Sequence, residues 1–493
     1  MKVASTIVNS RRFKNSIWNS AEAIVYPLLI VLFTPLFIHK LGPEDYGIWM
    51  LVNSILFTLG IFNFGIADSV IKYQAIFFEQ DKESSRQVLV SGIRFSTVLF
   101  GIVVILGWMV AEYISRFNPF DFKTARLDAI VHITKIASFT FGLKFIEQVL
   151  LASFKGILRY DLASKVSIVV KSVTVLTNVL LAYFEYPLIY IFYCSLVVSF
   201  VAVIIELFIV QKTFAHFSVS DLMSKGYSLA KLMNFGMWTW IQSSLALLTL
   251  QVDKFIVTKF FGLEVLSYYS IGYMISSQLH VLLVSLSGWI FPEVSAKVGK
   301  NESIVGIYYE MRFLLVGFGL VCVLAGYFLS DFVFKIWLGD VVYDKSSAFI
   351  KIFLLYESFL MLNIIPFHFL NGSGNERLNT SLELLSKFLN VMMMVLFFNW
   401  MGSIGLVWGL VVSMVIAVPI QAGVLYEKVL PGKRWYQGLS VFLPSIAILG
   451  LLFTDNIYVN SVLVVTAAYL FRQIYMNHAE VKKFKVLFQR SVS

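Results

Sequence analysis

The sequence predicts an all-α polytopic membrane protein with about fourteen transmembrane helices, and three observations lead there. Hydrophobic residues fill 58% of 493 positions and charged residues 14%, with a mean hydropathy of +0.80. Soluble domains are nearer half apolar and a quarter charged. The apolar residues gather into stretches of the roughly twenty residues that cross ~30 Å of hydrocarbon, and the short polar connections between them alternate in basicity.

In chain order the spans read as 20–39, 46–69, 88–112, 128–153, 161–184, 187–211, 229–260, 265–292, 305–331, 346–370, 378–399, 402–427, 436–454 and 457–476. Linkers such as Glu185-Tyr186-Pro187 leave almost no loop between neighbours. Lys and Arg in short loops favour the cytoplasmic side, and their alternation places both termini in the cytoplasm. The net charge of +10 is spread over many such loops, where it meets anionic headgroups. No basic–aromatic nucleic-acid module is present, so no nucleic-acid partner is expected. Arg11, Arg12 and Lys14 precede an apolar run too long for a signal peptide and without a small-residue cleavage site, so that run is a first span. Cys194 and Cys322 fall inside spans and read as packing residues, with no disulfide framework or metal site.

The chain reads as two similar halves. Leu41-Gly42-Pro43-Glu44 after the first span is matched by Phe261-Gly262-Leu263-Glu264 after the seventh. At nearly the same offset, Gly156 is matched by Gly372, and Leu196-Val197-Val198-Ser199 by Leu410-Val411-Val412-Ser413. Three landmarks in one order with similar offsets indicate a duplication. Each half has six spans, an even number, so both sit the same way up and form two six-helix lobes related by a pseudo-two-fold repeat. The expected divisions are 1–214, 215–430, and a 431–493 segment with the last two spans and a cytoplasmic tail.

Polar residues at three-to-four spacing on a membrane helix mark a face turned to protein or water. In span five Ser164, Ser167, Lys171, Thr174 and Asn178 follow that rhythm. A lone lysine at bilayer depth costs ~2.5–3.5 kcal/mol on insertion scales, which favours a wet cavity; a structural ion pair, with Glu206 as the candidate, is the competing reading. Span one carries Arg12, Asn15, Asn19, Glu22 and Tyr26; span seven Trp238, Gln242, Thr249 and Asp253, with Lys254 adjacent; span eight Ser270, Tyr273, Ser277, His280 and Ser287. His280 reads first as a hydrogen-bonded packing histidine and second as a proton relay. Lys144 and Glu147 sit one turn apart and read as a self-neutralising pair. Arg312, Arg377 and Lys387 lie toward span ends, where anchoring a helix at the interface is the commoner role. Glu357, with Asn363 and His368 below it, is an acidic candidate for coupling to an ion. Hydroxyls and amides suit sugars while Lys and Arg suit phosphate, so the striped helices suit an amphiphilic anion.

At these residues the chain resembles the polysaccharide (Wzx-type) flippases of the MOP exporter superfamily, relatives of MATE transporters and of the lipid II flippase. The resemblance rests on Leu41-Gly42-Pro43-Glu44-Asp45-Tyr46-Gly47-Ile48-Trp49, Asn63-Phe64-Gly65-Ile66-Ala67-Asp68, Asp253-Lys254-Phe255-Ile256-Val257-Thr258-Lys259-Phe260-Phe261-Gly262, Phe291-Pro292-Glu293-Val294 and Asn371-Gly372-Ser373-Gly374. It covers essentially the whole chain, through loose motifs whose order and spacing together are specific. It implies two six-helix lobes that alternate access, and a cargo of undecaprenyl-pyrophosphate-linked oligosaccharide moved from the inner to the outer leaflet of a bacterial inner membrane. It also implies a cation-lined lumen, with Lys171, Arg12, Lys254 and Arg312 as the equivalents placed by position. Asn178, Asn19, Gln242 and Ser277 complete the expected lining, and Glu22, Asp253, Glu357 and His280 are the candidates for ion coupling. Membrane lipids and the polysaccharide polymerase machinery are the implied partners. No cofactor is implied beyond an H+ or Na+ gradient or the membrane potential. The chain departs from the lipid II flippase in carrying Glu22 where that branch concentrates arginines.

Two other readings use the same residues. A MATE-like exporter of cations would hold its cargo on Glu22, Asp68, Asp253 or Glu357, against which the lysine-centred stripe argues. A membrane polymerase, ligase or glycosyltransferase needs a sizeable outer loop for catalytic groups, and the largest outer connection runs only from about Glu112 to Leu127. No phosphate loop, metal spacing or nucleophile elbow appears, so the expectation is a transporter, not an enzyme.

Overall fold

The computed structural model describes residues 11–78, 80–214, 217–430, 443–453 and 457–471. Among these residues there are fifteen α-helices and no strand, the outcome a hydrocarbon solvent imposes, since each backbone N–H and C=O must be satisfied within the segment. Among the described residues, nine helices are long and apolar enough to cross a membrane. Three are bent at an interior glycine and carry two crossings each: α1 (Arg11–Leu59) at Gly42, α7 (Leu229–Ser287) at Gly262 and α13 (Glu376–Lys428) at Gly402. The described spans thus fall six and six, followed by the short α14 (Leu443–Leu449) and α15 (Ile457–Phe471). Part of the expected thirteenth span, the end of the fourteenth and the tail from 472 lie outside the described residues.

The duplication is written into the backbone. Gly42 has φ 82° and ψ 161°, and Gly262, its counterpart in the second half, has φ 83° and ψ 180°. Only glycine occupies that region freely, so each half uses it to turn its first span into its second. Outward faces carry large apolar side chains in the open, among them Phe208 at 67%, Phe388 at 65% and Val321 at 64% exposure. Large apolar side chains left open on several spanning helices mark contact with lipid in a chain of this composition.

The chain divides into two compact units, Met1–Ser267 and Tyr268–Ser493. The first contains α1, α2 (Ile66–Phe77), α3 (Lys82–Phe117), α4 (Thr124–Gly156), α5 (Tyr160–Tyr183), α6 (Leu188–Thr213) and most of α7. Asp81 caps α3 by accepting from the amides of Glu83 and Ser84, each at 3.1 Å. The Ser84 hydroxyl donates to the same carboxyl and, with those amides, holds it below the usual carboxylate range. The connection from α6 to α7 is pinned to α3: Arg86 reaches Ser224 Oγ at 2.7 Å and Asp221 at 3.2 Å, Arg94 donates to the carbonyls of Leu222 and Ser224, and Ser91 donates to the Tyr227 carbonyl.

The second unit contains the end of α7, α8 (Ile290–Gly299), α9 (Val305–Phe328), α10 (Ser330–Leu338), α11 (Asp340–Leu360), α12 (Ile364–Gly372) and α13–α15. A single 3₁₀ turn, Met361–Asn363, joins α11 to α12. It aims Asn363 and the start of α12 at α13.

Candidate functional site

In the first unit the polar stripes of α1 and α5 meet. Glu22 Oε1 accepts from Lys171 Nζ at 2.8 Å and from Ser167 Oγ at 2.6 Å, and Lys171 Nζ lies 5.5 Å from the centre of the Tyr26 ring. The ion-pair partner of Lys171 is therefore Glu22, where the sequence offered Glu206. Glu206 sits on α6, fully buried, and its carboxylate feels Glu147 and Lys144 of α4 instead. Lys144 and Glu147 do pair, at 2.6 Å.

Lys171, Tyr26 and Lys144 border a cavity of about 300 Å³ between α1, α4, α5 and α6. Its polar wall holds Lys171, Lys144, Gln148, Thr174, Asn178 and Asn53, and its apolar wall includes Tyr26, Phe37 and Trp49, the last two stacked with centroids 5.1 Å apart. Asn178 Oδ1 accepts from Ser195 Oγ at 3.0 Å. The Lys171 side chain keeps 33% exposure and Glu22 17%, so the ammonium is paired yet reachable. Flat aromatic faces beside amides and hydroxyls suit a sugar ring, and two lysines suit a phosphate. Sequence reasoning missed Trp49, Asn53 and Gln148. Trp49 and Asn53 lie one turn apart on one face, a signal hidden by the apolar run around them.

A second cavity, about 260 Å³, lies in the second unit between α7, α12 and α13, lined by His280, His368, Asn363, Glu383, Ser386 and Lys387 among apolar side chains. His280 Nδ1 lies 3.0 Å from Oε1 of the fully buried Glu357, to which Ser276 also donates at 3.5 Å. His280 is thus both hydrogen-bonded and cavity-lining. His368 Nε2 lies 3.1 Å from Ser287 Oγ. Lys387, read from sequence as an interface anchor, lines this cavity instead.

Lys254, Asp253, Arg312 and Ser277 line neither of these two cavities. Lys254 is buried, with Nζ 3.0 Å from Gln251 Oε1, and Asp253 is buried beside it. Arg312 is caged by tyrosines, donating to Tyr308 Oη at 3.1 Å and to Tyr426 Oη. Ser277 Oγ donates to the Met274 carbonyl of its own helix. The side chains of Arg12, Asn19 and Gln242 lie outside the described residues. Among the described residues no group of three or more His, Cys, Asp or Glu is arranged to hold a metal.

Comparison with known proteins bears on this geometry. A Shigella flexneri protein named "Putative O-antigen transporter" is 22% identical over 385 residues, covering 74% of this chain and 86% of its own. An inward-facing multidrug resistance MATE family transporter of the MOP superfamily superposes with a TM-score of 0.67 at 14% identity, covering 82% of this chain and 96% of that one. A MOP superfamily transporter from Pyrococcus furiosus, whose binding pocket is described as reversed in polarity, gives 0.61 at 14% identity over 83% and 94%. The fold is thus that of the MOP transporters. The family model for polysaccharide biosynthesis proteins matches residues 13–298, more than half of the sequence, and the chain belongs to that family.

Proposed function

We propose that this chain is a flippase that moves an undecaprenyl-pyrophosphate-linked oligosaccharide from the cytoplasmic to the outer leaflet of a bacterial inner membrane by alternating access, with both termini cytoplasmic. The observation that carries the proposal is the first-unit cavity, where two lysines, amides and hydroxyls share one space with stacked aromatic rings. A sugar-phosphate headgroup needs that combination, and the lipid tail stays in the bilayer. The transporter fold and the family support the reading, as does the name of the Shigella flexneri relative. The work is transport, not bond making, and the product passes to the polysaccharide polymerase machinery.

Lys171 engages the pyrophosphate by exchanging Glu22 for the ligand, so binding is coupled to release of the α1–α5 seam. A gradient of H+ or Na+, or the membrane potential, drives the cycle through the Glu357–His280 couple, a fully buried carboxylate next to a cavity-lining imidazole. The test is translocation of a labelled undecaprenyl-pyrophosphate oligosaccharide in proteoliposomes, scored by accessibility to an added glycosidase. Protein-dependent protection or exposure of the glycan supports the proposal. Folded protein that moves no such lipid but exports cationic dyes would establish the MATE-like alternative, which the carboxylates Glu22, Asp253 and Glu357, all at least half-buried, favour.

A further inference from the structure

Lys171 and Lys387 occupy the same place in the repeat. Each lies eleven residues past the first residue of its helix, Tyr160 of α5 and Glu376 of α13. Their separation along the chain equals that of Gly156 and Gly372 just upstream. Each lines a cavity within its own unit. Their surroundings differ. Lys171 is closed by Glu22, whereas no carboxylate lies within ion-pair distance of Lys387 among the described residues. Glu383 lines the same cavity one turn away without pairing to it.

Around Lys387 the wall needs donors. Among the described residues, the buried Asn363 Oδ1 accepts no hydrogen bond and the Glu383 carboxylate accepts only a long 3.5 Å contact from Gln421. One ammonium calls for one negative charge, and the acceptors call for hydroxyls. A phosphate dianion would bring two charges against one ammonium and the Glu383 carboxylate, while a sugar carboxylate brings one and its ring hydroxyls can donate to Glu383 and Asn363. The volume, about 260 Å³, lies just under the ~300 Å³ at which pockets for larger ligands begin, which is room for one ring.

We propose that the second-unit cavity is a binding subsite for a single acidic sugar residue, its carboxylate held by Lys387 and its hydroxyls by Asn363 and Glu383. The proposal rests on the carbohydrate-transport reading and adds to it a preference, among the glycans carried, for those that contain a uronic-type sugar.

The experiment is calorimetric titration of the purified full chain in detergent with methyl β-D-glucuronoside, methyl β-D-glucoside and inorganic phosphate. The glucuronoside should bind saturably, at least tenfold tighter than the glucoside, and inorganic phosphate should not displace it at equal concentration. Lys387→Gln should weaken it at least tenfold and Lys387→Arg should restore most of the loss; Asn363→Ala should weaken it severalfold, a second reading if Lys387→Gln folds poorly. Absence of saturable binding, equal affinity for the glucoside, displacement by phosphate, or indifference to both substitutions would overturn the subsite. Translocation of a lipid-linked neutral glycan by the same preparation separates the two claims. Movement without glucuronoside binding removes the subsite alone, and glucuronoside binding without movement keeps the subsite and removes the flippase reading.

Discussion

The two cavities stand on equivalent helices of one duplication, yet one lysine is answered by the protein and the other is left for a ligand. In the first unit Glu22 and Ser167 converge on Lys171. At the offset that relates Lys171 to Lys387, Glu383 takes the place of Ser167. At the offset that relates Gly42 to Gly262, Gln242 takes the place of Glu22. The carboxylate that closes the first lysine thus has an amide as its repeat counterpart. Removing a paired lysine strands its carboxylate, and the pair must open before the lysine binds an anion, while an unpaired lysine has no protein partner to give up. Duplication followed by this divergence yields two anion sites of unequal strength from one design.

The largest effect separates them by cargo. Lys171→Gln is expected to cut translocation of every lipid-linked glycan at least tenfold, whereas Lys387→Gln should do so only for glycans bearing an acidic sugar. The glycosidase-accessibility assay with matched neutral and acidic cargoes reads both. Equal losses on both cargoes for both variants would break the comparison and make the cavities a single functional site.

Next are the two kinks. Residues other than glycine pay about 1–3 kcal/mol to sit where Gly42 and Gly262 sit, and an added Cβ meets no atom within 4 Å at either position. The cost is therefore backbone strain alone. Gly42→Ala and Gly262→Ala should lower thermal stability in detergent by similar amounts. A large loss at one and none at the other would show that the halves no longer share this turn.

A smaller difference follows from the pairing itself. Lys171→Gln leaves the Glu22 carboxylate with Ser167 as its named donor, and losing a charge-assisted hydrogen bond costs about 1.5–3 kcal/mol when dry. With the lysine one-third exposed, water recovers part of that, and about 1 kcal/mol is expected. Lys387→Gln breaks no ion pair and should fall within about 0.5 kcal/mol of the parent. Thermal unfolding of the two variants side by side decides it, and a greater loss for Lys387→Gln would reverse the assignment of open and closed lysines.

How much of this was legible in the sequence follows from the range of each signal. The spans, the duplication and the α5 stripe are local or periodic, so composition and spacing reveal them. The match of Glu22 with Lys171 was half visible, since both stripes were plain but nothing in one dimension says which stripe faces which. Glu206 looked as good a partner as Glu22 because both are single carboxylates at span depth. Lys387 passes for an anchor when it is set beside the end of span eleven, although it lies well inside 378–399 and its offset from Lys171 is the one that relates Gly372 to Gly156. Arg312 was read as a lumen cation because sequence does not show that Tyr426, distant along the chain, arrives to cage it.

The finest test lies in a hydrogen bond that both halves make differently. Asn178 Oδ1 accepts from Ser195, and Asn390 Oδ1 accepts from Ser413. Asn178 lines the first cavity, where water can replace a lost hydroxyl. Asn390 is 3% exposed and Ser413 fully buried, so Ser413→Ala leaves an amide oxygen with no solvent to turn to. A buried acceptor stripped of its donor costs about 1–3 kcal/mol, whereas a bond exchanged for water costs nearer ~0.5 kcal/mol. Ser413→Ala should therefore destabilise more than Ser195→Ala in thermal unfolding. Ligand in the first cavity should narrow the gap, because it displaces the water that spares Asn178. If Ser195→Ala proves the costlier change, the first cavity is dry at Asn178, and its amide belongs to the packing and not to the site.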